Sequence, residues 1–540
     1  MKFSEWMRNK ILKLLGLEKL AENPKSPRLT FISNDKDIKI EEARCGKMWY
    51  IGDSNQLLNY YTERRISMVD NPIFNRNIEN YFWAKSTEET DIKRVHSGIA
   101  KAIIDTMSNV VGKPEIDVKD LTKVWDEIAE ENDFDGKLTQ QGRPLTLAEG
   151  WGAWKININK DVSDYPLIEY YEAENCEYIV KSGMIIGIVF KSYYKNKKGQ
   201  DFILLETRYR ADGNSYTEYQ LCRLNSKNDM EPCAFSEIEE LAYLDKEGEA
   251  KKVIEGLNMM LAVPSRYYYD VLDPEHGSSL LAGKYDALDM LDEIMSQASQ
   301  TNRVSTPVEY YSAEIVFRDK DGNPGVPKLY NRQFMQKEGL PDGDGNQNND
   351  IVTTQPDLNF DKYGNLMKDV LDYIFTGKIS PATMGVDIAK KDNAEAQREK
   401  EKVTIQTRNN IIAQETRMVK QLVTICLYLK EFMDSGKITL NKFDISVKYN
   451  EFANPAFENM LQTYGQAWNA GEISTQKYVE LLWAGKMTDE EMAHEIAWLD
   501  ENRQKDDFDL EGMLNNNEEA VGNAMVSAGA DEDAFAESEE

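Results

Sequence analysis

Residues 394–433 read AEAQREKEKVTIQTRNNIIAQETRMVKQLVTICLYLKEFM and predict one unusually long helix. Asp392 and Glu395 nearly form a capping box at its start. At 1.5 Å per residue, such a helix spans about 60 Å, which is more than most single domains need. Its first half is polar and its second half is rich in Ile, Leu and Met. We therefore expect one end to lie in a core and the other to be exposed or at a subunit boundary.

Two shorter helices are predicted upstream of the long one, over residues 279–304 and 358–377. Ser278 or Ser279 is suited to cap the first, and Gly377 is suited to end the second. Residues 305–357 separate the two helices and contain a strand-like run, Val308–Phe317, between polar turns. Residues 379–392 then form an irregular connection to the long helix.

The first of these helices has two different faces. Its apolar stripe is expected to pack against neighbouring helices and includes Leu288, Leu291 and Met295. Its other face carries Asp289, Glu293 and Gln297, which we expect to face water or a channel. An ordinary helix buried inside one subunit fits the same pattern, and the sequence does not separate the two interpretations.

Near residue 150 the helical pattern gives way to an alternation of apolar and polar residues, which continues to about residue 270. Strands are predicted at 150–158, 176–180, 184–194, 202–209 and 215–221, with polar turns between them. The short turns predict an antiparallel meander. Residues 41–130 are predicted to be mostly helical, with one apolar stripe over 92–111 that stops before Gly112 and Pro114.

The two ends of the chain differ in charge. Residues 2–20 predict a basic amphipathic helix, and we favour its docking on a neighbouring protein over a place on a membrane surface. Residues 454–503 predict three short helices, with Gly471 and Gly485 as stops, Ser474 as a start and a capping box from Thr488. Residues 506–540 hold twelve acidic side chains and no Lys or Arg, so this tail is expected to be disordered.

The composition limits the possible functions. The formal net charge of −30 disfavours a high-affinity DNA-binding surface, although weak or sliding contact with DNA fits it. The five cysteines include no CxxC pair, which disfavours disulfide frameworks and zinc sites and favours a reducing cytoplasm. No apolar run is long enough to span a bilayer, and the first residues lack the pattern of a signal peptide.

Enzyme signatures fail when they are checked residue by residue. His494-Glu495 resembles the start of a zinc-protease helix, but Trp498 occupies the second histidine position. Gly485-Lys486 is followed by Met487 where a P-loop needs Ser or Thr. The three histidines, including His96, lack local support as catalytic bases. We expect no catalytic residues, no metal site, no cofactor and no enzymatic activity.

Four passages carry a resemblance to a known family. They are Met48-Trp49-Tyr50-Ile51-Gly52; Phe82-Trp83 with Arg94-Val95-His96 and the helix ending Val110-Val111-Gly112-Lys113-Pro114; Gly183–Phe190 with Leu204–Tyr209; and the Gly471-Glu472-Ile473-Ser474 turn. Together with the order of elements over about residues 1–505, they resemble the portal proteins of tailed phages and prophages of Gram-positive bacteria, of the type with long, non-contractile tails. These passages are of moderate specificity and contain no catalytic signature.

The resemblance implies an α+β portal fold with named parts. They are an N-terminal amphipathic segment (1–40), a mixed wing (41–270), a first stem helix (279–304), an α/β clip insertion (305–357), a second stem helix (358–377), a tunnel loop (379–392), a long wing helix with its return (393–453), a helical crown (454–505) and the acidic tail (506–540). The family contributes no role for the acidic tail.

The resemblance also implies partners and a location. Copies would form a ring, a dodecamer in the virion, at one capsid vertex after assembly in the bacterial cytoplasm. Double-stranded DNA would pass through without sequence specificity. The terminase large subunit, head-completion proteins, the scaffold and the major capsid protein would be its protein partners. Two alternatives remain, namely another component of head morphogenesis and a hydrolase that uses scattered carboxylates.

An acidic ring suits a moving duplex. DNA carries one charge per about 1.7 Å of axis, so a strongly basic tunnel would hold it through a long contact. Salt screens charges over about 8–10 Å, so an acidic lumen repels the duplex only weakly. Lys390 and Lys391 are our candidates for transient phosphate contact in the tunnel loop, and a solvated loop without DNA contact is the alternative.

Overall fold

The computed structural model describes residues 36–67, 81–85, 92–224, 230–246, 248–270, 273–305, 308–312, 321, 333–337, 352–354, 360–385, 394–439, 442–450, 464–468, 470–483 and 491–501. The chain combines helix and sheet, which confirms the predicted fold class at that coarse level. It forms two compact units, Met1–Phe452 and Ala453–Glu540. The predicted amphipathic helix (2–20), the acidic tail (506–540), Lys390 and Lys391 lie outside the described residues.

Helices form much of the first unit. They are α1 (Lys36–Ile51), α2 (Ser54–Ser67), α3 (Ile99–Val111), α4 (Thr122–Asn132), α5 (Arg143–Glu149), α6 (Tyr285–Val304), α7 (Phe360–Phe375) and α8 (Ala394–Ser435). A short 3-10 turn (Phe82–Ala84) precedes α3, and a helical turn (Phe134–Gly136) and a π-helical segment (Lys137–Gly142) precede α5. The long helix predicted over 394–433 is confirmed as α8.

Two predicted helix starts are wrong for local reasons. The stripe over 92–111 becomes helical only at Ile99, because Gly98 adopts a positive φ of 67° and the residues before it are not helical. The helix predicted from residue 279 begins at Tyr285. Ser279 does accept a hydrogen bond from the Leu281 N–H, but Gly283, at φ 76°, ends that turn before the helix starts.

Fourteen strands lie within the described residues. They are β1 (Pro114–Val118), β2 (Trp151–Asn157), β3 (Leu167–Glu172), β4 (Cys176–Lys181), β5 (Met184–Lys195), β6 (Asp201–Ala211), β7 (Asn214–Leu224), β8 (Met230–Pro232), β9 (Lys251–Ile254), β10 (Ala262–Arg266), β11 (Val308–Ser312), β12 (Gln333–Lys337), β13 (Val352–Thr354) and β14 (Ile445–Tyr449). Four of the five strands predicted for the meander form it, in the order β4-β5-β6-β7-β8, all antiparallel, with β9 also paired to β7. The strand predicted at 150–158 is β2, which belongs to a different sheet. A second antiparallel sheet has the order β10-β2-β3. The pairing of β1 with β14 was not predicted, since the partners are distant in sequence.

The meander is joined to the β10-β2-β3 sheet by buried charged side chains. Arg208 of β6 donates hydrogen bonds to the Ile156 carbonyl of β2 and to Glu206. Lys155 of β2 pairs with Glu206 at 3.3 Å and with Glu169 of β3 at 3.0 Å. Each buried charge therefore has an opposite charge beside it, as burial requires.

The second half of α8 enters a core, as predicted. Val419, Leu422, Val423 and Cys426 are fully buried among residues of α4, β2 and β3. One turn earlier, Glu415 is also fully buried, and it forms an ion pair with Arg143 of α5. The long helix is thus fixed to the rest of the first unit by both apolar contact and charge.

The second unit has a small core of its own. Its described helical residues are 464–468, α9 (Thr475–Trp483) and 491–501. Ser474 accepts a hydrogen bond from the Lys477 N–H at 3.2 Å, which confirms its predicted role as a helix start. Tyr478, Val479 and Leu482 are buried there. The predicted stop at Gly485 and the capping box from Thr488 lie outside the described residues.

Candidate functional site

Helices α6 and α7 form an antiparallel pair. Lys284, just before α6, donates through Nζ to the Tyr373 carbonyl near the end of α7, at 2.6 Å. Thr301 near the end of α6 is hydrogen-bonded to the Tyr363 hydroxyl near the start of α7, at 3.2 Å. The chain segment between the helices therefore leaves and returns at the same end of the pair.

The described part of that segment is a small mixed sheet. Strand β11 pairs in parallel with β12 and antiparallel with β13. A parallel pair needs a crossover connection, so the segment is more than a simple hairpin. Of the predicted strand Val308–Phe317, the part Val308–Ser312 is confirmed, and the remainder lies outside the described residues. An α/β insertion was predicted here, and the described residues of this segment contain strands but no helix.

The apolar stripe of α6 packs inside its own subunit. Leu288 and Leu291 are buried, and Met295 is partly buried, in a core that also contains Ile374 and Phe375 of α7. The packing partners that we expected to be neighbouring helices are therefore provided, at least in part, by this chain. For this stripe, the structure therefore fits the alternative interpretation, in which the helix is buried inside one subunit.

The predicted exposure of Asp289 is wrong. Its side chain is buried, and it accepts hydrogen bonds from the backbone N–H groups of Phe82 at 2.7 Å and Trp83 at 3.2 Å. It thereby caps the 3-10 turn from another element, as an aspartate caps a helix within one. Burial raises the pKa of Asp289 to about 7, with the two hydrogen bonds acting in the opposite direction.

One turn later, Asp292 binds two further parts of the same region. It accepts hydrogen bonds from the Trp83 indole N–H at 3.0 Å and from the Ser97 N–H at 2.8 Å. The His96 Nδ1 atom lies 2.6 Å from an Asp292 carboxylate oxygen. Ser296 follows on the same side and accepts a hydrogen bond from the Val95 N–H at 2.8 Å.

Two more carboxylates extend this arrangement along α6. The Tyr81 hydroxyl donates to Asp286, and Lys85 pairs with Glu293 at 3.6 Å. Asp286, Asp289, Asp292 and Glu293 are called the carboxylate row below. Every member binds a residue of 81–85 or 96–97, so the row fixes these residues to α6.

Glu293 and Gln297, the other two predicted lumen candidates, lie nearer to solvent. Gln297 is exposed and donates to Glu293 at 3.2 Å, and Glu293 is half-buried. Together with Asp286 and Met290 they follow the spacing i, i+4, i+7 and i+11, which is one face of a helix. This exposed face of α6 is acidic and has Met290 as its exposed large apolar side chain.

Helix α7 exposes larger apolar side chains. Leu366 and Tyr373 are exposed, while Val370 and Ile374 are buried against the core. Lys362, Leu366, Asp369 and Tyr373 follow the same i, i+4, i+7 and i+11 spacing. Leu366 and Tyr373 are seven residues apart and therefore lie on the same side of α7.

The start of the predicted tunnel loop is a packed turn. Ile379 and Ser380 are buried. The Ser380 N–H donates to the Thr404 hydroxyl of α8 at 2.8 Å, and the Thr383 hydroxyl is 2.8 Å from the same oxygen. The described residues 379–385 are therefore held against α8, and the lysine candidates at 390 and 391 fall in the part that is not described.

The sequence did not indicate the role of His96. Its imidazole lies between the Trp49 and Trp83 rings, at centroid distances of 5.5 and 6.0 Å. An Asp–His pair can serve in catalysis when the other ring nitrogen reaches a nucleophile. Among the described residues, the buried His96 Nε2 has no hydrogen-bond partner, while Nδ1 joins the segment before α3 to Asp292 of α6.

In the described residues, no cluster of three His, Cys, Asp or Glu side chains is placed to bind a metal ion. None of the helices described there is both long and apolar enough to cross a membrane. Comparison with known proteins gives no assignment, since neither a family model nor a curated protein matches the chain.

Proposed function

We propose that this chain is a portal protein of a tailed bacteriophage or prophage. Copies would form a ring at one capsid vertex, through which double-stranded DNA enters during packaging and leaves during ejection. The observation that carries the proposal is the antiparallel α6–α7 pair with a mixed-sheet segment inserted at one end. The packed turn at 379–385 and the long helix α8 then follow in the order that such a fold requires.

In this proposal α6 and α7 are the stem helices, and residues 305–357 are the clip. The clip would bind the terminase large subunit during packaging and head-completion proteins afterwards. The second unit would include the crown, and the scaffold and major capsid protein would contact the outside of the ring. No cofactor, catalytic group or membrane contact is required, because the packaging motor is a separate chain.

The exposed side chains of the stem pair support this assignment. Met290, Leu366 and Tyr373 would be covered by neighbouring copies in a ring. Asp286, Glu293 and Gln297 would then supply acidic or polar groups at the margins of the contact or the lumen. The net charge of −30 per chain suits DNA that must slide, because few strong phosphate contacts would hold it.

The test is the mass and shape of the purified full-length protein. We expect a closed ring with a central hole in negative-stain images, and a mass by light scattering near that of twelve chains. A chain that stays monomeric or forms only open assemblies, with or without scaffold and capsid protein, would contradict the proposal. ATP turnover or hydrolase activity by the purified chain would favour an enzyme.

A paired substitution locates the subunit contact. Leu366→Glu places a charge in the proposed stem contact and is expected to shift the population from rings to smaller species. Val162→Glu is the matched control, because Val162 is an exposed apolar residue in the loop between β2 and β3. Equal loss of rings in both variants would show a general effect of surface charge, and no loss in either would remove the α7 face from the contact.

A further inference from the structure

The carboxylate row, together with Ser296, holds residues 81–85 and 95–97 along about 15 Å of α6. Two kinds of contact occur along the row. Backbone N–H groups of Phe82, Trp83 and Ser97 donate to buried carboxylates, whereas Tyr81 and Lys85 contact the outer ones. These contacts end on carboxyl groups, so the protonation state of the row affects the attachment.

Asp289 is the buried member of the row that is bound by the backbone N–H groups of the 3-10 turn. The ionisable groups that act on its charge include Asp292 and Glu293 on α6 and Tyr81 beside the 3-10 turn. The same region also contains Asp286, Lys85, Arg94 and His96. Of the cationic groups, Lys85 pairs with Glu293, and Arg94 lies over the Phe82 and Trp83 rings. Within the described residues, Asp289 forms no ion pair, and two backbone N–H groups are its partners.

We infer that Asp289 is a proton-linked latch, which holds the 3-10 turn at 82–84 against α6 when it is neutral and loosens it when it ionises. A buried carboxylate with three acidic neighbours on its own helix gains a repulsive charge on ionisation. Opening the turn exposes the carboxylate to water, where the charge is readily solvated. The latch is a property of one subunit and does not depend on ring assembly.

The direction of the pH effect follows from linkage. Burial raises the pKa of Asp289 to about 7 in the closed state, whereas a solvated aspartate ionises near 3.9. The open state therefore releases a proton over this interval, and opening becomes more favourable as pH rises. Above about pH 7 both states are ionised and the dependence ends.

Hydrogen exchange tests the latch. The peptide that contains Phe82–Ala84 is followed by mass spectrometry in the full-length protein, with rates corrected for the intrinsic pH dependence of exchange. We expect protection to fall about tenfold for each pH unit between about pH 5 and pH 7, and to level off above that. Asp289→Asn cannot ionise, so this slope should be absent in the variant.

Two controls keep the result specific. Glu293→Gln removes a less buried carboxylate of the same row, and it should retain most of the wild-type slope. Peptides from the buried half of α8, around Leu422–Cys426, report opening of the core in the same wild-type samples. A slope that is equal in the α8 peptides, or that persists in Asp289→Asn, would overturn the latch. If Asp289→Asn does not fold, the comparison of the two wild-type peptides still decides.

Discussion

Two buried carboxylates, Glu415 on α8 and Asp289 on α6, are compensated in opposite ways. Arg143 binds Glu415 through two nitrogens, Nε at 2.8 Å and Nη2 at 2.6 Å, and the hydroxyls of Tyr267 and Tyr449 donate to the same carboxylate at 2.7 and 2.8 Å. Asp289 accepts two backbone N–H groups and has no ion pair among the described residues. Burial is therefore compensated by an ion pair at one site and by two backbone N–H groups at the other.

The chemistry of the partners explains the difference. A guanidinium is charged at every relevant pH and matches a carboxylate with two parallel hydrogen bonds. Burial alone would lower the pKa of Arg143, but the neighbouring Glu415 charge outweighs it and the pKa of Arg143 is raised. Backbone N–H groups provide only partial charges, which at Asp289 do not offset desolvation. The ion pair thus connects α5 and α8 through charge, whereas two backbone N–H groups, and no ion pair among the described residues, connect Asp289 of α6 to the turn at 82–84.

Removing the paired carboxylate is expected to have the largest effect. Glu415→Ala leaves Arg143 charged and buried, and it also removes the acceptor for two tyrosines. We expect a loss of about 3–5 kcal/mol in the free energy of unfolding of the first unit, measured by urea denaturation. Glu249→Ala, which removes an exposed partner of Lys252, should cost less than about 1 kcal/mol. Similar losses for the two variants would mean that burial of the Arg143 pair contributes nothing.

Replacing the unpaired carboxylate is expected to give a pH-dependent change. The raised pKa of Asp289 stabilises the folded state below the unfolded pKa, and this contribution is lost as pH rises to about 7. The loss is about 1.4 kcal/mol for each pH unit, and up to about 4 kcal/mol in total. The Asp289→Asn variant has no ionisable group at this position and does not undergo this loss. The free energy of unfolding of the variant relative to wild type should therefore increase between about pH 4 and pH 7. Urea denaturation across this range measures the difference, and a constant difference would contradict the assignment of the raised pKa to Asp289.

The same comparison shows what the sequence alone reveals. Strands β4–β7 and helix α8 were predicted closely because their periodicity is local and their turns carry Gly, Asn and Asp. Arg143 and Glu415 are 272 positions apart, and Asp289 lies 207 positions from Phe82. Helical spacing placed Asp289 on a polar face, but the face that it occupies is covered by a segment that no local pattern brings there. The one signal in the sequence against the predicted exposure of this face is the apolar pair Phe82-Trp83, because such a pair must be buried against some surface of the protein.

Thr404 of α8 gives the smallest predicted effect, because its contacts involve no charge. Its hydroxyl accepts the Ser380 N–H and bonds to Thr383, so it fixes the turn at 379–385 with which the proposed tunnel loop begins. Thr404→Val keeps the shape but leaves a buried N–H without its acceptor, which should cost about 1–3 kcal/mol at any pH. Thr424→Val is the matched control, since the Thr424 hydroxyl is on the same helix and bonds only to the Lys420 carbonyl at an exposed position. Urea denaturation at two pH values measures the loss in the free energy of unfolding. We expect the same loss at both pH values, because the contacts of Thr404 are uncharged. A loss that changes with pH would contradict this and would mean that ionisable groups nearby affect the turn.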